Sequence, residues 1–422
     1  MVTFLRWLLA LTLIAVTGVM TFFVFSHPPM RLMPPPLLFQ DTGPEIVQQA
    51  AALGDGSRIE VFYSTSRLPL GPRDDRVYTV APDTRLHVGR AELRIGEEGS
   101  TLDQMLEWSF GADQGDRPFI NLERMSESAT LSGPEDADAA AEWLAAIDAE
   151  LARARDPDVL IYVHGANTTV ERAAGQASQL RHFTGRNSVV VLFAWPTAEN
   201  FLRYSRDIRT AIGAAPKLAE LVALLTERTD AERVNVFTYS AGATVGSDAL
   251  ALAAEARPEA AARIGEVIHA VPDADFREFV DDMAVYAESV GRVTTLVNLG
   301  DTALRLAGAV NRASRAGRPD LAELSPEATD WLLGASSSGY ADIVQVRPED
   351  MPDLAATSHT FWYDDPWVSN DVLVTLLFHL APDARGLSTG TAISGAGYWT
   401  FPPDYPDRIR AVAARIRAES GG

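Results

Sequence analysis

The stretch Val234–Ala256, VNVFTYSAGATVGSDALALAAEA, changes character at one residue. Up to Tyr239 it is an apolar, β-branched and aromatic run of the kind that makes a buried strand. From Gly242 it becomes rich in Ala and Leu, which favours a helix. Between the two stands Ser240, flanked by Tyr239 and Ala241, with Thr238 two residues before it and Gly242 two after. A strand that turns sharply into a helix brings neighbouring backbone close, so small residues are needed at those two outer places. Gly242 fits that need, whereas Thr238 stands where Gly is usual. The turn holds up a serine hydroxyl as a candidate nucleophile; alternatively Ser240 is a plain helix cap.

Working outward, the same alternation repeats. Apolar strands are expected at Val159–Val163, Val189–Phe193, Glu266–Ala270 and Val293–Leu299, separated by helices, one reaching to about Phe183 and another from about Tyr204 to Thr229. Continuous apolar strands joined by helices of ten or more residues imply an α/β domain: a mostly parallel sheet buried on both faces, with right-handed crossovers. Residues 46–155 read as a β-rich opening region of that domain, with a strand from Arg58 and short β segments at Tyr78–Val80 and Arg85–Ile95. Residues 156–422 read as the core and a C-terminal helix. The insert Arg305–Tyr340 reads as packed helix or a partial lid.

Ahead of the domain, WLLALTLIAVTGVMTFFVF (Trp7–Phe25) carries no charge and is long enough for a transmembrane helix. Arg6 on its near side predicts that the remainder lies on the non-cytoplasmic side, which in a bacterial chain is the periplasmic one. Residues 1–26 are therefore expected to be an N-terminal membrane anchor, or else a signal segment, although the run lacks the small residues of a cleavage site. The proline-rich SHPPMRLMPPPLL lies largely within residues 27–45, expected to be a stiff linker.

Composition narrows the chemistry. The 422 residues carry a formal net charge of -21, which repels phosphate backbones and argues against nucleic acid. There is no Cys, so thiolate nucleophiles, disulfides and Cys-ligated metal are excluded. No His pair at one-turn spacing and no Gly-rich phosphate loop is present, so neither a metal nor a cofactor is implied. Nothing in the sequence speaks to oligomeric state.

Several short motifs, in order, resemble the α/β-hydrolase superfamily, and more narrowly its bacterial branch known as domain of unknown function nine hundred. They are Val61–Arg67 (VFYSTSR), His164–Asn167 (HGAN), Phe193–Thr197 (FAWPT), Tyr204 with Asp207, Ser240–Gly242, Pro272–Asp275 (PDAD), Asp301–Leu304 and Ser358–Phe361. The likeness spans about Arg58 to Leu380. The branch usually has a bulky residue where Ala166 stands and His where Tyr239 stands.

The resemblance implies a serine hydrolase acting through a covalent acyl-enzyme on an ester, thioester or amide of a small or lipid-like acyl substrate. The other reading is a non-catalytic, membrane-anchored binding or scaffold protein of the same fold. In the fold, a backbone amide in the loop after an early strand joins the amide after the nucleophile to hold an oxyanion. Here those are Ala166 and Ala241, with His164 as loop organiser. The chain order of nucleophile, acid and base leaves His269, His359 and His379 as candidates; His269 lies inside a strand and His379 in a helical run, so His359 is the expected base. The acid is Asp301, with Asp273 as the alternative, each leaving the end of a strand; either could instead be a helix cap.

Overall fold

A computed structural model describes residues 6–7, 12, 29–42, 56–111, 117–352, 354–392 and 397–420. The strands are β1 (Met30–Arg31), β2 (Arg58–Leu70), β3 (Val77–Ile95), β4 (Phe119–Leu131), β5 (Val159–Val163), β6 (Val189–Ala194), β7 (Val234–Tyr239), β8 (Ile264–Ala270), β9 (Arg292–Val297), β10 (Ala341–Gln345), β11 (Ser388–Thr391) and β12 (Gly397–Thr400). They form one twelve-stranded sheet in the order β1-β4-β3-β2-β6-β5-β7-β8-β9-β10-β12-β11. From β2 to β12 neighbours are parallel, while β1, β4, β3 and β11 add antiparallel edges. Strands β5 to β8 are buried at every residue, because helices cover both faces.

The chain runs from β5 outward to β6, then back across to β7 on the other side of β5. Where strand order reverses in this way, the loops leaving the two central strands diverge and open a crevice at their carboxyl ends. β5 and β7 are hydrogen-bonded neighbours, with Val163 opposite Thr238, so the loops beginning at His164 and Ser240 start side by side.

Two expectations change. The β segments at Tyr78–Val80 and Arg85–Ile95 are a single strand, β3, that continues through Pro82. Pro82 is tolerated because it pairs only with Arg67 of β2, at a register shift, while β4 joins the other side from Leu86 onward. The proline-rich segment is not a free linker throughout. Met30–Arg31 pairs with Ile120 and Phe119 of β4, and Leu32, Met33, Leu38 and Phe39 are buried. The intervening prolines have no N–H to satisfy, so the chain can lie irregularly on the core. Two of its amides find side chains, Leu38 N donating to Asn370 Oδ1 at 2.7 Å and Met33 N to Gln179, while Leu32 N donates to Pro118 O at 2.9 Å.

No helix among the described residues is long and apolar enough to cross a membrane. The apolar run 7–25 lies outside the described residues except at Trp7 and Thr12. In the insert, the helices Thr302–Asn311 and Pro326–Ser338 pack on the domain, with Leu332 and Ala335 buried in its core, so packing wins over a lid.

Candidate active site

Ser240 sits between β7 and the helix Gly242–Ala256 with φ of 53°, a left-handed conformation that costs a non-glycine residue about 1–3 kcal/mol. Hydrogen bonds on either side hold it there: Ser240 N donates to Ala270 O at 3.0 Å, and Ala243 N donates to Ser240 O at 2.9 Å. The tightness of the turn explains Gly242, since a Cβ there would lie 2.6 Å from both Val163 O and His164 O. It also explains how Thr238 is accommodated. A Cβ on Gly246 would come within 2.4 Å of Thr238 Cγ2, so the space usually left by a glycine before the serine is instead supplied by a glycine one turn into the helix.

His359 Nε2 lies 2.9 Å from Ser240 Oγ, and His359 Nδ1 lies 2.6 Å from Asp301 Oδ2. The loop bearing His359 is tied to the end of β9 by Asn298, whose Nδ2 donates to Ser358 O at 2.8 Å and whose Oδ1 accepts from Gly300 N at 2.9 Å. From beneath, the Tyr239 hydroxyl donates to His359 O at 3.3 Å and its ring packs against the imidazole. Asp301 is fully buried, and its other oxygen caps the Thr302–Asn311 helix by accepting from Leu304 N at 2.9 Å. Asp301 thus caps the helix with one oxygen and meets His359 with the other. Asp273 is engaged elsewhere, by Arg315 Nε at 2.6 Å and the Tyr204 hydroxyl at 2.7 Å.

The loop after β5 packs directly on the serine: a Cβ at Gly165 would stand 2.9 Å from Ser240 Cβ. This sets the segment containing Ala166 beside the turn containing Ala241. His164 is fully buried, and desolvation, reinforced by nearby Arg67, pushes it down to about 3, so it is neutral at physiological pH. Its Nδ1 lies 2.8 Å from Gly165 O, its ring stacks on Trp195 at 5.4 Å, and Trp195 Nε1 donates to His164 O at 2.7 Å. His164 and Trp195 together fix the loop, while His164 makes no hydrogen bond to Ser240 Oγ.

Two further residues hold this loop whose part the sequence did not reveal. Asp207 accepts from Asn167 N at 2.9 Å and from Ala198 N at 2.6 Å, clamping the loops after β5 and β6 to each other. Burial pushes its carboxyl upward, opposed by those two backbone donors. Arg67, fully buried at the end of β2, donates to Trp195 O at 3.0 Å, Thr168 O at 2.9 Å and Thr197 Oγ1 at 3.1 Å, and pairs with Glu199 at 2.6 Å. Both residues stand in the short motifs quoted from the sequence, and Arg67 is also a charged residue late in an otherwise buried strand, but neither signal named their partners.

The other histidines after Ser240 lie apart. His269 is buried between Thr238 Oγ1 at 2.7 Å and the Tyr286 hydroxyl at 2.9 Å, and burial pushes it down to about 3. His379 follows the helix Pro366–Phe378 in a left-handed conformation and pairs with Asp158 and Glu266, at the opposite, amino-terminal ends of β5 and β8.

The family model described as alpha/beta hydrolase of unknown function (DUF900) matches residues 137–352, which include Ser240, Asp301 and the Ala166 loop. No curated protein matches the chain. Among solved structures, a predicted CIB-like hydrolase from Thermoplasma acidophilum is similar at 12% identity and a TM-score of 0.29, covering 54% of this chain and 88% of that one. Esterase B from Lactobacillus rhamnosis gives 12% identity and 0.28, over 64% and 81%, and a Pyrobaculum calidifontis esterase 18% and 0.25, over 63% and 76%. On the family match, which takes in just over half of its residues, the chain belongs to the α/β-hydrolases of unknown function, DUF900.

Proposed function

We propose that the protein is a serine hydrolase that cleaves an ester, thioester or amide through an acyl-enzyme. The observation that carries this reading is the unbroken hydrogen-bonded chain from Ser240 Oγ through both nitrogens of His359 to Asp301 Oδ2. A serine hydroxyl needs a base to attack a carbonyl at neutral pH. His359 Nε2 takes the Ser240 proton as Oγ bonds to the carbonyl carbon, and the amides of Ala166 and Ala241 stabilise the negative oxygen. Asp301 stabilises the imidazolium, which then returns its proton to the leaving group as the carbonyl–heteroatom bond breaks. Water repeats the sequence, its proton passing to His359 while the acid product leaves and Ser240 is restored.

The test is labelling by a fluorophosphonate probe, which reports an activated serine without knowledge of the substrate. Wild type is expected to label, and Ser240→Ala to lose both labelling and hydrolysis of short p-nitrophenyl esters while remaining folded. A wild-type protein that does not label would favour the non-catalytic binding module instead.

The same proposal sets the domain on a membrane, by way of the uncharged run Trp7–Phe25 and the positive flank at Arg6, with the domain on the non-cytoplasmic side. Full-length protein is then expected to stay with membranes through an alkaline carbonate wash. Release by the wash, or a mature N-terminus near Ser26, would overturn the anchor.

A further inference from the structure

Beside the acid-bearing loop lies a cavity of about 560 Å³ lined by Arg305, Arg312, Arg315 and Arg318. Four guanidiniums around one hollow are conspicuous in a chain of net charge -21. Two of them are spoken for: Arg315 by Asp273, and Arg318 in part by Leu299 O, to which its Nε donates at 3.0 Å. The two acids in the lining are also engaged. Glu323 takes the amide and hydroxyl of Ser314 with its oxygens, and Asp320 Oδ1 caps Ala322 N. Among the described residues, no carboxylate pairs with Arg305 or Arg312. These two arginines, with Gly308 between them at i+3, follow one face of the helix Thr302–Asn311 and its C-cap and line the same hollow.

Next to this hollow is a second of about 230 Å³, lined largely by apolar side chains that include Phe276, Met283, Leu321 and Leu333. Leu299 and Pro319 line both. A basic chamber meeting an apolar one selects for a ligand with both characters. We propose that the paired cavities bind an amphiphile, its anionic phosphate- or carboxylate-type head on Arg305 and Arg312 and its apolar chain in the cleft at Leu333. Planar guanidinium forks suit such oxyanions through paired charge-assisted hydrogen bonds. The site is separate from Ser240, and its occupancy rests on no step of the proposed hydrolysis.

Calorimetric titration of the purified full chain with hexyl phosphate, inorganic phosphate and hexanol tests this, carried out on wild type and on Ser240→Ala. Hexyl phosphate is expected to saturate one site in both proteins, about tenfold or more tighter than either inorganic phosphate or hexanol. The double variant Arg305→Gln/Arg312→Gln should weaken hexyl phosphate by about tenfold or more, since its two strongest donors are gone. Both arginines are exposed, so the fold should be unaffected, as circular dichroism can verify. Leu333→Asn should remove the advantage of hexyl phosphate over inorganic phosphate and leave the latter unchanged. Equal affinity for the two phosphates in wild type would mean a free-anion site and overturn the amphiphile. Unchanged binding in the double arginine variant, or none in wild type, would overturn the site itself.

Discussion

Each oxygen of Asp301 is separately committed, Oδ2 to His359 Nδ1 at 2.6 Å and Oδ1 to the Leu304 amide at 2.9 Å. This division makes Asp301→Asn an informative change. Asn can keep the cap through its carbonyl oxygen, but its amide group then faces His359 Nδ1 as a donor and forces the proton onto Nε2, where a base must be free. We expect turnover of p-nitrophenyl esters to fall by up to ~10⁴, as for the corresponding change in a serine protease, with little loss of stability. Asp273→Asn should behave in the opposite way. Arg315 is nearly fully buried and would lose its ionic partner, a loss of about 3–5 kcal/mol, visible in urea unfolding, while the folded fraction keeps most of its turnover. The reverse ranking in turnover would transfer the orienting role to Asp273. At this same scale, the exchange of glycines between positions 238 and 246 shows why a motif scan underrates this serine: what the turn requires is space, and space can come from the facing helix.

Among the elements, those buried on both faces were legible. β5 to β9 are short, continuous apolar runs between helical patterns, and the sequence reading missed their ends by only a residue or two. Elements with one solvated face were not. β4, FINLERMSESATL, alternates burial along its length and carries charges on its exposed side, so it lacks an apolar run, and the Ser/Thr/Gly-rich pair β11 and β12 lacks one altogether. In the site, chain order and position after a strand pointed to Ser240 and His359 but left Asp301 and Asp273 alike; their different partners, His359 for Asp301 and Arg315 for Asp273, are visible only in three dimensions. Arg67 and Asp207 could not be given roles: Arg67 reaches Thr168 and Glu199, more than a hundred residues away, and Asp207 binds backbone amides, which leave no mark in a sequence. Asp207 acts between elements, through two backbone amides in two loops, so it is a positioning residue whose effect should be kinetic. In Asp207→Asn one of those buried amides faces a donor instead of an acceptor. We expect kcat to fall, by less than the ~10²–10³ for removal of an oxyanion donor itself, with KM nearly unchanged. A variant that loses stability but retains kcat would reduce Asp207 to a structural tie.

Across the whole molecule, the two ends of the parallel sheet carry opposite tasks. The carboxyl ends of β5, β7 and β9 lead into the Ala166 loop, Ser240 and Asp301, while the amino ends of β5 and β8 hold a cluster of acids closed by His379. The carboxylates of Asp158, 3.2 Å from Nε2, and then Glu266, 3.4 Å from Nδ1, outweigh desolvation there and raise His379 from 6.5 to about 9. Nearby, burial and then repulsion from Asp158 raise Asp156 to about 7. A histidine whose folded pKa exceeds its unfolded one binds its proton more tightly when folded, so its contribution is complete below pH 6.5 and is lost as pH rises through about 9. Asp156 acts in the same direction at lower pH, since its raised pKa favours folding only while it is protonated, an advantage gone by about 7. Comparing wild type with His379→Gln separates the two, because Asp156 is present in both. Urea unfolding should show the variant less stable near pH 6.5, with the gap narrowing steadily toward alkaline pH and nearly closed above about 9. Activity of the surviving folded protein should be unaffected at every pH, as His379 lies at the end of the sheet away from Ser240. A stability gap of constant size from about pH 6 to about pH 10 would mean that folding leaves the His379 pKa unshifted and that His379 joins β5 to β8 by packing alone.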